Sequence, residues 1–221
     1  MHQRKSKKVL IYFFLLILVG SVNNINLSAI EFYKVKKIEI FGLENKSKLL
    51  KKIENLDLRT IFFINIEDLI KTIESDNLIE DYKVIKKYPS TLNIYVNQTK
   101  FLGEINKDGK IYLIGSNGKL SKKRFSNEKL PFIFGNPSID EFLKFKTIID
   151  NSKFSYKQIK NLYFFPSKRW DVQLSNNILL KLPVSNIDET LDYLFELMSE
   201  EKPNTSKIID ARINNQIIFN E

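Results

Sequence analysis

Residues 168–183 read KRWDVQLSNNILLKLP and hold the chain's one tryptophan. Trp170, Val172 and Leu174 alternate with Arg169, Asp171, Gln173 and Ser175. After Asn176-Asn177 the alternation resumes at Ile178, Leu180 and Leu182. A period of two on both sides of an Asn-Asn pair predicts a β-hairpin with one buried face. Asn177 tolerates the left-handed backbone that such a turn needs. The hairpin is either scaffold or a working cleft, and the rest of the chain has to decide which.

The remaining composition narrows the choice. With 221 residues, 43% hydrophobic and 12% aromatic, the chain can bury one or two packed domains. It has no cysteine, and its single histidine is His2. Disulfides, thiolate sites, a His-based triad and a His-ligated metal are therefore not expected, and neither metal nor cofactor is assigned. The net charge of +9 is partly a tail effect: Arg4, Lys5, Lys7 and Lys8 supply +4. Residues 31–100 carry 13 basic and 11 acidic side chains, and residues 101–221 carry 18 and 15. That thin, spread excess lacks the basic stripe with interleaved aromatics of a nucleic-acid surface.

Behind the basic tail, residues 9–22 (VLIYFFLLILVGSV) are almost wholly apolar, and residues 9–30 carry no charge. As a helix, 22 residues reach ~33 Å, against ~30 Å of hydrocarbon. This predicts a single N-terminal transmembrane helix over 9–30, with the tail 1–8 in the cytoplasm and the bulk of the chain outside it. A cleaved signal peptide is the competing reading.

Two blocks follow. In the first, YKVKKIEIFG (33–42) reads as a strand ending at Gly42. Helices are predicted over 45–56, with Leu49, Leu50 and Ile53 on one side, and over 65–76, with Ile66, Leu69, Ile70 and Ile73 at helical spacing. A hairpin over 82–97 turns at Tyr88-Pro89-Ser90, and its Leu92, Ile94 and Val96 alternate with polar neighbours. The order β-α-α-β-β lets two helices cover one face of a small sheet.

The second block is rich in strands. KIYLIGSNGKLS (110–121) has an Asn117-Gly118 hairpin turn, and its spacing does not fit a phosphate loop. Ser138 with Glu141, Ser155 with Gln158, and Asn186 with Glu189 all read as capping boxes. A helix over 186–198 places Ile187, Leu191, Leu194 and Met198 on one face. KIIDARINNQIIFN (207–220) reads as two short strands, or as one strand bent at Asn214-Asn215. The fold class is α+β.

In this order the parts resemble the bacterial cell-division family FtsQ/DivIB. VKKIEIFGL (35–43) and VIKKYPSTLNIYV (84–96) are similar to the opening strand and closing hairpin of its POTRA domain. LPFIFG (130–135), RWDVQLSNNILLKLP (169–183) and IIDARINNQIIF (208–219) are similar to three segments of its second domain. Gln98, Phe101 and Gly103 stand where the family has Glu, Pro and Ala, and Gly115 where an Asp is common. The resemblance implies a cytoplasmic tail at 1–8, an anchor at 9–30, a POTRA-like domain at 31–98 and an FtsQ-type β domain at 99–221. It makes Trp170 a core residue and Arg169 its solvated neighbour.

The function so implied is a non-enzymatic, single-pass inner-membrane scaffold at the division septum. It would link early and late division proteins and control septal wall synthesis through protein contacts, with an FtsB/FtsL-like coiled-coil pair as partners. Nucleic acid and small-molecule substrates are not implied. The expected contact is the closing strand, at Arg212, Ile213, Asn215, Gln216, Ile217, Ile218 and Phe219. That run has neither proline nor lysine to protect a sheet edge, and Gln216 is expected to turn its amide outward. The alternatives are a strand that only completes the core, a POTRA component of an outer-membrane assembly or secretion system, and an anchored cell-wall enzyme. The second would continue into many barrel strands of ~10 residues. The third would need a carboxylate pair such as Glu104 with Asp108 or Asp188 with Asp192.

Overall fold

The computed structural model describes residues 3–22, 34–56, 58, 61–122, 129–200, 207–213 and 216–220. Helix α1 (Gln3–Val22) takes in both the basic tail and the apolar run. Every side chain from Val9 to Val19 is between 48% and 69% exposed. No helix among the described residues is long and apolar enough to cross a membrane. The uncharged part of α1, Val9–Val22, spans only ~21 Å, and the rest of the expected span, residues 23–30, lies outside the described residues.

The chain divides into two compact units, Met1–Glu74 with Tyr82–Val96 and Ser75–Asp81 with Asn97–Glu221. The first contains β1 (Lys37–Phe41), α2 (Ser47–Glu54), α3 (Ile66–Glu74) and most of β2 (Ile79–Lys87) and β3 (Thr91–Gln98). This is the β-α-α-β-β order read from the periodicity. The central strand β3 pairs in parallel with β1, giving the sheet order β1-β3-β2. Leu92, Ile94 and Val96 are buried along β3, as the alternation requires, and so are Leu49 and Ile53 of α2 and Leu69 and Ile73 of α3. Leu50 and Ile70 are only partly buried, and Ile66 is exposed, because the helical stripe is narrower than its apolar residues. Gly42 ends β1 at φ +87°, where a Cβ would lie 1.9 Å from the carbonyl oxygen of Val96. Only glycine fits that turn.

The second unit is built on nine strands. They are β4 (Phe101–Lys107), β5 (Lys110–Gly115), β6 (Leu120–Lys122), β7 (Phe132–Phe134), β8 (Ile159–Phe164), β9 (Trp170–Leu174), β10 (Leu179–Lys181), β11 (Ile208–Ile213) and β12 (Gln216–Asn220). Their order is β12-β11-β10-β9-β8-β7-β4-β5-β6. The register places Ile105, Ile133, Leu162, Val172, Leu180 and Ile209 side by side across six strands. None of the six is more than 2% exposed. Helices α4 (Ile139–Asn151) and α5 (Ile187–Glu200) share this cluster through Phe142, Phe145, Ile149, Leu191 and Leu194.

Trp170 answers the question its hairpin raised. It is 4% exposed and stacks on Phe145 of α4, with ring centroids 4.5 Å apart and planes 4° apart. It is part of the core. The turn residue Asn177 has φ +67°. Ser138 caps α4 with Glu141 as the reciprocal partner, and Ser155 with Gln158 does the same for a 3-10 turn at Tyr156–Gln158. Asn186 differs from the expected cap, because it sits at φ +56° rather than in the extended backbone of an ordinary N-cap. Arg169 also differs. Its side chain is 21% exposed, held by Asp171 (Nε to Oδ1, 3.1 Å) and lying over the Phe165 ring at 4.1 Å.

Candidate partner-binding edge

The closing segment is a hairpin of two strands, and this redistributes the residues expected on one edge. Arg212 and Ile213 belong to β11, which lies between β10 and β12 but whose pairing with β10 ends at Asp210. Asn215 lies outside the described residues. Gln216, Ile217, Ile218 and Phe219 lie on β12, which is the edge.

The register shows which main-chain groups that edge offers. Ile208, Asp210 and Ile213 stand opposite Asn220, Ile218 and Gln216, and Ile209 opposite Phe219. The amide of Leu179 donates to the carbonyl of Lys207 at 2.8 Å, within a parallel pairing that sets Leu179 beside Ile208. In that ladder the main chain of Ile209 turns toward β10, and those of Ile208 and Asp210 turn toward β12. Their partners Asn220 and Ile218 therefore bond inward, and by alternation so does Gln216. The amides and carbonyls of Ile217 and Phe219 point away from β11. The expectation that Gln216 faces outward is thus corrected: the pairing of β12 with β11 sets the parity, and it turns Gln216 inward.

Side chains follow the same alternation. Phe219 continues the buried row beyond Ile209 but is 42% exposed, at the rim, and Ile217 packs against the same core cluster. On the other face a row runs Phe134, Tyr163, Asp171, Lys181, Asp210 and Ile218. Opposite charges alternate across three of these strands, a favourable cross-strand arrangement. Arg212 donates from Nε to both carboxylate oxygens of Asp210, at 2.8 and 3.0 Å, and from Nη2 at 2.5 Å. The backbone N–H of Arg212, displaced by the irregularity between Asp210 and Ile213, also donates to that carboxylate, at 3.2 Å. These hydrogen bonds from Arg212 hold the Asp210 carboxyl below its ordinary value, over the opposing effect of burial. Asp171 shifts the other way. Burial raises it, and the hydrogen bond and charge of Arg169 offset only part of the rise. These acid–base pairs were missed at the sequence level. The Asp-x-Arg and Arg-x-Asp spacing, which puts both side chains on one face of a strand, was the available signal.

Four strands end the two sheets: β1, β2, β6 and β12. β1, β2 and β6 carry charged side chains that blunt pairing, and β6 has only three residues. β12, with the sequence QIIFN, is the one described edge without a charge. What it offers is main-chain hydrogen bonding beside the exposed ring of Phe219 and the partly buried Ile217 and Ile218, which is the chemistry of adding a partner strand.

The carboxylates considered for catalysis sit in other settings. Glu104 is 8% exposed within β4, while Asp108 forms the next turn at φ +52°. Asp188 lies in the first turn of α5, and Asp192 accepts the backbone N–H of Lys153 at 2.8 Å. Among the described residues no group of three or more His, Cys, Asp or Glu is placed to hold a metal ion.

Comparison with known proteins gives two family matches. The family described as POTRA domain, FtsQ-type, matches residues 33–97. The family described as Cell division protein FtsQ/DivIB, C-terminal, matches residues 104–212. The chain is 32% identical over 155 residues to cell division protein DivIB of Clostridium botulinum (strain Loch Maree / Type A3), covering 65% of this chain and 58% of that protein. It is 22% identical over 182 residues to cell division protein FtsQ of Rickettsia bellii (strain RML369-C), covering 77% and 65%. The chain thus spans about three fifths of the length of these curated relatives. A solved structure of the major extracytoplasmic domain of DivIB from Geobacillus stearothermophilus aligns with a TM-score of 0.35 at 9% identity, over 48% of this chain and 97% of that one.

Proposed function

The chain belongs to the FtsQ/DivIB family of bacterial cell-division proteins, and on that premise we propose that it is a membrane-anchored, non-enzymatic scaffold of the septum. In this reading it links early and late division proteins and controls septal wall synthesis through protein contacts. Its partners are a membrane-anchored coiled-coil pair of the FtsB/FtsL kind, one of which adds a strand to β12. The domain plan is a tail at 1–8, an anchor at 9–30, a POTRA-like domain at 31–98 and an FtsQ-type β domain at 99–221.

The carrying observation is the uncharged free edge of β12, where Ile217 and Phe219 turn their main-chain groups outward beside a rim phenylalanine. The anchor reading is supported by α1, whose apolar residues Val9–Val19 are exposed in succession and so on every face of the helix. A helix apolar all round needs an apolar surrounding. In this reading the uncharged stretch to residue 30 completes the span, with the N-terminus in the cytoplasm and both domains outside it.

Depletion of the protein in its own host tests the function. The expected result is filamentous cells with stalled septa, and normal division under full depletion would refute it. A reporter active only outside the cytoplasm, fused after Glu221, should be active, and the full-length protein should stay with the membrane fraction. Release of a shortened soluble form would refute the anchor.

A further inference from the structure

One end of the first unit carries a surface that strand addition does not use. The amides of Lys36 and Lys37 both donate to the carbonyl of Ser90, at 2.9 and 3.3 Å. The chain therefore enters β1 directly against the Tyr88–Ser90 turn. Phe62, from the loop that leads into α3, stacks on Tyr88 with ring centroids 5.0 Å apart. Phe62, Phe63 and Tyr88 are 51%, 87% and 57% exposed. Three large aromatic side chains thus stand in water at the place where the chain enters the unit.

The charge around them is mixed, with a small basic excess on the side where the chain enters. Lys34, Lys36, Lys37 and Lys87 are exposed, and Lys86 is partly so. Of these, Lys37 is engaged by Glu39. The nearby acids are Glu54, at the end of α2, and Glu67 and Asp68, in the first turn of α3. Asp68 accepts a hydrogen bond from the Asn65 side chain at 2.7 Å.

We propose that this end of the first unit rests on the membrane surface, with Phe62, Phe63 and Tyr88 in the headgroup layer and the lysines on anionic lipid headgroups. Aromatic rings favour the membrane–water boundary, and lysines beside a bilayer are drawn to anionic lipids. Chain continuity selects this occupant. Lys34 is four residues beyond residue 30, so it can lie no more than ~14 Å from the end of the span. The inference rests on the anchor reading above, and its test separates the two.

The chain has no cysteine, so single labels can be placed without background. The full chain is reconstituted in vesicles of phosphatidylcholine, alone or with phosphatidylglycerol, and carries a fluorophore on one of three variants. Leu16→Cys reports the anchor, and Phe63→Cys reports the aromatic end. Glu44→Cys is an exposed control at the other end of β1. Spin-labelled lipids quench either at the headgroup or in mid-chain.

The expected result is headgroup-level quenching several-fold stronger at 63 than at 44, rising further with phosphatidylglycerol. Combining Lys34→Glu, Lys36→Glu and Lys87→Glu should remove that rise. Mid-chain quenching at 16 establishes the anchor independently, and its absence refutes the anchor alone. Quenching at 63 no stronger than at 44 refutes the docking surface, whatever position 16 reports, and leaves the aromatic end to a protein partner.

Discussion

Replacing Ile209 by alanine tests the face assignment of the nine-stranded sheet where it matters most, beside the candidate edge. Ile209 is 0% exposed, between Leu180 of β10 and Phe219 of β12. The change removes three buried carbons. At ~0.8 kcal/mol for each buried methylene, the transfer loss is about 2.4 kcal/mol. A residual cavity raises the total to roughly 3–4 kcal/mol. Its cross-strand neighbour Phe219 is 42% exposed, so Phe219→Ala should cost only about 1–1.5 kcal/mol despite the larger side chain. The assay is urea unfolding followed by Trp170 fluorescence. Trp170 is the sole tryptophan and lies in the same core cluster as Ile209, so the signal reports the second unit without interference from the first. The midpoint for Ile209→Ala should fall well below wild type with an unchanged slope. A loss below about 0.5 kcal/mol, in the range of an ordinary surface change, would mean that Ile209 does not face the core. The parity of β11, and with it the outward assignment of Ile217 and Phe219, would then be refuted.

Other expectations are as direct. Ile94→Asp places an unpaired carboxylate at a site 0% exposed in β3 and should cost ~3 kcal/mol or more, seen as loss of the first unit's transition by circular dichroism. A wild-type melt would mean that the strand register is wrong. Gly42→Ala sets a Cβ against the Val96 carbonyl at a positive φ and should cost about 1–3 kcal/mol in the same assay. In an NMR titration, Asp171 should protonate above, and Asp210 below, the ordinary aspartate value of 3.8. With a raised folded-state value, Asp171 takes up its proton with a gain in stability as pH falls through that value. With a lowered one, Asp210 contributes stability above its unfolded-state value and loses it as pH falls through the folded-state value. Coincident titration of the two would refute their pairing.

Local pattern carried the first unit. Gly42, the 45–56 and 65–76 periodicities and the Tyr88–Ser90 turn are short-range signals, so the order and type of each element were legible, while the strand read from 33 forms over Lys37–Phe41 and the hairpin read from 82 begins at Ile79. Trp170, Val172 and Leu174 were legible for the same reason, since alternation along one strand names a face. The edge was only half legible. That KIIDARINNQIIFN could be two strands was visible, but the direction in which Gln216 turns its amide depends on the partner strand and on the irregularity between Asp210 and Ile213. Neither is a property of residues 216–220. The same limit hid the Asp171–Lys181–Asp210 row, whose members are distant in sequence and meet only through pairing.

The most direct test of the account is partner capture by an edge-blocked variant. Phe219→Pro removes an outward N–H from β12, where proline is tolerated because no ladder bond of the sheet is lost. Gln216→Pro removes an inward one and should itself destabilise the hairpin by about 1 kcal/mol. The full chain, in wild-type, Phe219→Ala and Phe219→Pro forms, is co-purified with the host's coiled-coil division partners from detergent-solubilised membranes. Phe219→Pro is expected to unfold near Phe219→Ala, about 1–1.5 kcal/mol below wild type, by Trp170 fluorescence yet to lose the partner, while Phe219→Ala, which keeps the N–H, retains a measurable share. A folded Phe219→Pro protein that captures its partners as wild type does would contradict strand addition at β12.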